Sequence, residues 1–456
     1  MAKTTDMTTG SPFKRILIFA IPIALGFMLQ NLYSLGDSLI VSLALGNEAV
    51  TGVNLTGSLN FLIIGCGQGL SAGFGIVLSQ WVGAKNQQKM RESFATSIVL
   101  TLIISAILTT FSIIFARKIL ELMQTDALYI DYSESYVKAL FTGLTFSIFY
   151  NLSDQVMRAM GDSKTPLLIL ILCAILNIAL NSLLFLNKDL GAAWAGWATI
   201  ISQGVSASVG FFIILKRFKV LRPSLKDFKI NFKFALSHLS VGLPMSFQFM
   251  ITSISCMIQQ GAFNSLDSPL YAMAQGTANK IDNVFSSILV GAANSMAVFC
   301  GQNFGAKKYD RIEQGAKRSL LVGIIYTFVA SALAICLCRP FSHLLLSNAP
   351  DIVYDYVFQY ILTQALLYYT LFVLLNYRQA LQSMGKSFLA MFGGIVELFM
   401  RCFAAFILAE NFGYTGACFS NVLAWFGAAV FFSICMVIVI KKLKTTTPTQ
   451  ITEQTN

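Results

Sequence analysis

Charge is what this sequence is shortest of. Asp, Glu, Lys and Arg together make up 12% of the 456 residues, against 56% hydrophobic residues. A soluble domain carries about 25% charged residues. A chain with half of that cannot cover a water-facing surface, and the composition reads as a polytopic helical membrane protein. Short strands of alternating polarity are missing too, which excludes a transmembrane β-barrel. No Gly-x-x-x-x-Gly-Lys-Ser/Thr loop is present to cradle a nucleotide phosphate, so ATP is not expected to drive its work. No nucleophile–base motif and no soluble region to hold one occur, so an enzyme is not expected. Only two histidines occur, His238 and His343, both placed near membrane surfaces.

Cysteine is present but not arranged for chemistry. The nine cysteines all lie in or at the ends of apolar segments, and Cys336-Leu-Cys338 is too close and too isolated for a metal site. They read as free thiols packed as small apolar residues. No resident cofactor or metal is expected. A cleavable leader is not expected either: residues 1–12 are polar and the first apolar segment is too long for a signal core.

Twelve apolar stretches are each long enough to cross the roughly 30 Å hydrocarbon layer as a helix. They run at 16–42, 52–82, 94–116, 133–159, 165–186, 190–216, 236–262, 272–303, 317–338, 353–381, 387–410 and 413–440. The formal charge of +11 is placed by topology. Lys14, Arg15, Lys85, Lys89, Arg91, Lys164, the run from Lys216 to Lys233, Lys307, Lys308, Arg311, Lys386 and Lys441–Lys444 all fall at the N-terminus, alternate loops and the C-terminus. This positive-inside bias predicts both termini in the cytoplasm and a multi-pass protein of the cell inner membrane. Nucleic acid is not expected as a partner; the lipid bilayer and small molecules are.

The chain is duplicated. Pro22 and Pro244 lie 222 positions apart, and so do Gln80-Trp-Val-Gly-Ala-Lys85 and Gln302-Asn-Phe-Gly-Ala-Lys307. Met160-Gly161 recurs as Met384-Gly385. The shared offset is what carries the repeat, since single matches would mean little. Six spans is an even number, so the two halves keep one orientation. They are predicted to be related by a pseudo-two-fold axis along the membrane normal. The expected division is 1–225 for the first half and 226–456 for the second, with the basic stretch 217–235 as linker.

Asp37 stands about two-thirds of the way along the apolar stretch 22–46 of the first span, with apolar residues on both sides. A carboxylate at that depth costs a few kcal/mol at least, and is kept where it faces a cavity, an ion or a partner. Asn177 and Asn181 in span five are four apart, so their amides share one helix face. With Asp37 they offer one charged and two neutral oxygens, a hard ligand set suited to Na⁺, and Thr199 in span six offers a hydroxyl. The plainer reading of the asparagines is helix–helix glue.

In the order of these motifs the sequence resembles the MATE (multidrug and toxic compound extrusion) transporters of bacterial NorM-like and DinF-like type. The carrying residues are Pro22 with Asp37, Gln80–Asn86, Arg158-Ala-Met-Gly-Asp-Ser-Lys-Thr-Pro166, Asn177 with Asn181, and Gln302–Lys307. The resemblance covers roughly 15–440. It implies a V-shaped pair of six-helix lobes exporting organic compounds in exchange for Na⁺ or H⁺. It also matches Asp37, Asn177, Asn181 and Thr199 to the family's first-lobe cation site. Asp37 alone would titrate, whereas Asp37 with two asparagines would hold Na⁺, and both drivers stay open.

The second half departs from the first. Gln259 stands where the repeat would place an acid, and 236–262 holds no Asp or Glu, so a second cation site there is not expected. Its own charges are Lys280 and Asp282 in span eight and Glu397 and Arg401 in span eleven. They sum to zero and are expected to form one buried network, structural or functional. The function expected is a cation-coupled antiporter, working as a monomer, for lipophilic and often cationic small molecules. The alternative is a lipid-linked precursor flippase of a related superfamily, which would show further spans and a basic central cavity.

Overall fold

A computed structural model of the chain describes residues 5–45, 52–53, 55–122, 128–187, 191–229, 231–346 and 349–446. Among them there are helices and turns and no strand. The reason is the solvent: in hydrocarbon every backbone N–H and C=O must be satisfied internally, and a helix does so within one segment. In chain order the helices are α1 (Pro12–Leu45), α2 (Gly57–Gly83), α3 (Gln87–Leu122), α4 (Ile130–Thr142), α5 (Leu144–Ala159), α6 (Lys164–Asn181) and α7 (Gly191–Arg217). The second half gives α8 (Phe232–Asn264), α9 (Pro269–Gly305), α10 (Tyr309–Leu345), α11 (Asp351–Ala365), α12 (Tyr368–Ser383), α13 (Ser387–Phe403) and α14 (Ala409–Thr446).

The fold is all-α, with twelve membrane spans in two six-helix halves. Two of those spans are broken, at positions the duplication relates. Span four divides into α4 and α5 at Gly143, where a Cβ would come within 2.0 Å of the Ile200 side chain on α7. Span ten divides into α11 and α12, which bend by 49°. There the Ala365 carbonyl accepts a 2.6 Å hydrogen bond from Ser331 Oγ on α10.

The repeat is also written in the helix ends. After α2 and α9, Lys85 and Lys307 take φ of 56° and 57°; after α5 and α12, Gly161 and Gly385 take 82° and 74°. Each left-handed residue closes the last turn. The N–H of the following residue returns five positions: Asn86 to Trp81 at 3.3 Å, Lys308 to Asn303 at 2.9 Å, Asp162 to Met157 at 3.0 Å, Lys386 to Leu381 at 3.0 Å. This bond caps carbonyls that the helix leaves open.

The chain forms two compact units. One is built of Leu29–Val82 and Asn86–Ser253, the other of Thr5–Met28, Gly83–Lys85 and Ile254–Asn456. The sequence division at 225 follows the duplication; the units depart from it by exchanging the first stretches of α1 and α8. Small residues explain the exchange, because they let backbones approach closely. In the first unit, Cβ atoms at Gly69 and Gly73 would lie 2.7 Å from the Ser246 backbone and 2.4 Å from Gly242 Cα on α8. In the second unit, a Cβ at Gly291 would lie 2.2 Å from Ala24 Cα on α1. Gly69 and Gly291 are repeat partners, and so are Ser246 and Ala24.

Candidate functional site

The first-half site rests on α6 and α7, and a clasp at one end sets their register. Asp162 accepts the Lys164 and Thr165 backbone N–H groups at 3.1 Å each, and Thr165 Oγ1 at 2.6 Å. Arg217, in the last turn of α7, pairs with the same carboxylate and donates to Thr165 Oγ1 at 2.8 Å. At the other end Trp194 Nε1 donates to Leu180 O at 2.8 Å. With both ends tied, the middle of α6 is held against the middle of α7.

Three of the four expected residues meet there. Asn177 and Asn181 are fully buried. Asn181 Nδ2 donates to Asn177 Oδ1 at 3.2 Å, and Asn177 Nδ2 donates to Thr199 Oγ1 at 3.2 Å. Thr199 Oγ1 donates in turn to Ala195 O at 3.0 Å. The result is a directed chain of amide and hydroxyl groups across two helices. An amide oxygen has two acceptor positions, so Asn177 Oδ1 retains one beyond the bond from Asn181.

The backbone of Asp37 belongs to α1, but its side chain lies outside the described residues. Its neighbour one turn earlier, Tyr33, lies in electrostatic reach of Tyr150 on α5, as do Asp154 and Cys173. This stretch of α1 belongs to the same unit as α6 and α7.

One ion pair nearby went unread in the sequence. Asp154 and Arg158 on α5 meet at 2.9 Å with side chains 19% and 12% exposed. Their four-residue spacing was the available signal.

The second half arranges its charges differently from the single network expected of Lys280, Asp282, Glu397 and Arg401. Lys280 is exposed while Asp282 is buried. Residues two apart on a helix point to different sides. Asp282 accepts from Tyr368 at 2.7 Å. Glu397 pairs with Arg378 on α12, Nη1 to Oε1 at 3.3 Å, rather than with Arg401 one turn along its own helix. Arg401 Nε donates to Asn421 Oδ1 at 3.1 Å and its Nη1 to Ser255 Oγ at 2.8 Å. So the four charges do not form one circuit: Asp282, Glu397 and Arg401 each take a different partner.

A neutral residue extends the contacts of Arg401 through Asn421. The fully buried Tyr360 donates its hydroxyl to Asn279 Oδ1 at 2.8 Å and accepts from Asn421 Nδ2 at 3.1 Å. Gln259, the repeat partner of Asp37, approaches the same hydroxyl at 3.4 Å. A π-helical turn at Ala404–Leu408 follows α13 directly, a distortion frequent at functional sites. Among the described residues no group of three or more His, Cys, Asp or Glu could hold a metal ion.

Residues 22–183 and 244–407 match the family model described as MatE, once in each half. The "Probable multidrug resistance protein YoeA" of Bacillus subtilis is 28% identical over 351 residues, 75% of each chain. The "FAD transporter" of Shewanella oneidensis is 23% identical over 332 residues, 71% of this chain and 72% of its own. In three dimensions, a crystal structure of a MATE in complex with MaL6 superposes with a TM-score of 0.91 at 20% identity, covering 98% of this chain and 100% of that one.

Proposed function

The chain belongs to the MatE family of membrane transporters, and from that premise we propose that it is a cation-coupled antiporter. It exports amphipathic, often cationic small organic compounds by alternating access, in exchange for inward Na⁺ or H⁺. The observation that carries this reading is the buried Asn181–Asn177–Thr199 chain in the unit that also holds the second part of α1. In it, amide and hydroxyl oxygens lie together, and sharing a cation with the Asp37 carboxylate is the role we propose for them.

The chemistry follows from charge. Empty, an acid at depth is expensive, and a proton or Na⁺ that neutralises it relieves that expense. The conformation in which Asp37 and the amide oxygens converge is therefore the one the cation favours. If the cargo favours the other conformation, each drives the other out, because coupling is the difference in affinity between states and works in both directions. A ligand with equal affinity for both states would shift nothing. The basic loops support an inner-membrane protein with both termini in the cytoplasm, and we propose that it acts as a monomer.

A second reading of the cargo is favoured by Arg401. Among the described residues its hydrogen bonds run to neutral acceptors, Asn421 and Ser255. A guanidinium so held would suit a cargo bearing a carboxylate or phosphate, and one relative is named an FAD transporter. Efflux from proteoliposomes, measured under a Na⁺ gradient and a pH gradient imposed separately, tests the antiport. Cationic and anionic dyes tried in turn test the cargo. Efflux that neither gradient accelerates would overturn the proposal.

A further inference from the structure

Two adjoining cavities open at the basic end of the second unit. The first, about 480 Å³, is lined by Lys307, Lys308, Tyr309, Asp310, Arg311, Gln314 and Lys444. The second, about 730 Å³, is lined by Ser11, Pro12, Phe13, Gln314, Lys317, Arg318 and Leu321. Gln314 borders both, so they form one trough where α1 and α10 begin. Both volumes fall in the usual range of ligand sites, about 300–1,000 Å³.

The charge of the trough is one-sided. Six basic side chains line it and one acid, Asp310. Lys444 is bound to Asp310 at 3.2 Å and to Glu313. Lys317 is bound to Glu313 at 2.8 Å. Lys308 and Arg311 donate to backbone carbonyls of the N-terminal strap, at Thr8 O (2.9 Å), Met7 O (3.2 Å) and Thr9 O (2.9 Å). A carbonyl cancels no charge, and the acids nearby, Asp6, Asp310 and Glu313, are fewer than the six cations. Asp6 on the same strap is pushed up by burial. The Thr8 hydrogen bonds and the charges of Lys85 and Lys308 outweigh that, so its pKa is held below the ordinary carboxylate value. Arg318 has no hydrogen-bond or ion-pair partner among the described residues.

An apolar surface runs from the trough along both helices. Leu321, Ile324, Ile325 and Phe328 on α10 are 45%, 53%, 46% and 74% exposed, and Ile18 and Ile21 on α1 are 52% and 48% exposed. The two helices lie side by side here, tied by Tyr326 donating to Leu17 O at 3.3 Å.

The geometry points to a binding site for one anionic phospholipid. Its phosphate sits in the trough beside Lys317 and Arg318, and its acyl chains lie along the α1–α10 surface below. A free phosphate has no use for the apolar surface, and a zwitterionic lipid carries a cation into a trough already rich in them. An anionic lipid matches both parts. Basic residues near a membrane surface contribute about 1 kcal/mol each to anionic lipid binding, about fivefold in affinity.

The test is native mass spectrometry of the full-length protein in detergent. It is titrated with phosphatidylglycerol, with phosphatidylcholine of the same chains, and with inorganic phosphate. The variants are K317Q/R318Q and the control K216Q/K219Q, which removes two exposed cations from the other unit. The expected result is retention of phosphatidylglycerol over phosphatidylcholine, no adduct with phosphate, and about fivefold weaker retention per cation lost in K317Q/R318Q alone. Equal retention of both lipids would overturn the site. So would a control variant that loses as much as K317Q/R318Q, or an inorganic phosphate adduct as stable as the lipid's. Thermal melting in lipid-free detergent verifies that each variant is folded, and a variant with lowered melting is replaced by R318Q alone.

Discussion

Lys85 and Lys307, 222 positions apart, both close a helix in the left-handed conformation, with φ of 56° and 57°. The related helix ends at Gly161 and Gly385 use glycine for the same purpose. A residue with a Cβ loses roughly 1–2 kcal/mol there, and glycine does not.

Lys307→Gly is therefore expected to stabilise the protein by about 1 kcal/mol, with Lys85→Gly similar. Melting temperature in detergent checks this, read beside Lys307→Ala, which keeps the Cβ and should gain nothing. A Gly variant no more stable than the Ala variant would mean that the turn is not strained by the side chain.

Two glycines of α9 should answer alanine in opposite ways. At Gly276 a Cβ meets nothing within 4 Å, and at Gly291 it meets Ala24 Cα at 2.2 Å. Gly276→Ala is expected to stabilise by about 0.5–1 kcal/mol through helix propensity. Gly291→Ala should lower both yield and melting temperature, because neither backbone can move aside cheaply. Equal melting of the two variants would contradict the close approach of α1 and α9.

Arg378→Ala should strand the buried Glu397, a loss of about 3–5 kcal/mol when one partner of a buried pair is removed. Adding Glu397→Leu should recover much of it, since no lone charge is left. Thermal unfolding of both single variants and the double variant gives the coupling. Independent, additive losses would show that the pair is not the one that matters.

In the linker, Asp227 accepts the Ser224 N–H at 2.7 Å and the Ser224 hydroxyl at 2.8 Å, and Arg91 lies 3.9 Å away. The backbone bond from Ser224 holds its pKa below the ordinary carboxylate value. A pKa lowered by folding gives support that is present above the unfolded value of about 3.9 and is lost as pH falls through the folded one. Hydrogen exchange over 219–229, corrected for intrinsic rates, should thus stay slow down to about pH 4 and quicken below it. Asp227→Asn should abolish that step, and an unchanged step in the variant would assign it to another group.

Much of this was legible in the sequence, for reasons particular to each feature. The spans follow from hydropathy and the duplication from a constant offset, so Pro22 and Pro244, or Lys85 and Lys307, could be paired without coordinates. Asn177 and Asn181 could be grouped because helical spacing fixes a face, and Thr199, on another helix, was set with them by the family resemblance. What could not be read was which face meets which helix. Hydropathy placed Lys280 in a span but not on its exposed side. Spacing aligned Glu397 with Arg401 but could not show Arg378 arriving from α12. The exchange of α1 and α8 between units rests on contacts between Gly69 and Ser246 and between Gly291 and Ala24, which lie far apart in the chain.

The central claim is that Asp37, with the Asn177–Asn181–Thr199 chain, couples the cation to export. Its most direct test is gradient-driven efflux by Asp37→Asn and wild-type protein, reconstituted side by side at equal, verified density. The substitution keeps the size of the side chain and removes its charge. Asp37→Asn is expected to melt like the wild type and to export nothing above leak under either a Na⁺ or a pH gradient. Efflux by Asp37→Asn at the wild-type rate, still accelerated by the gradient, would contradict it.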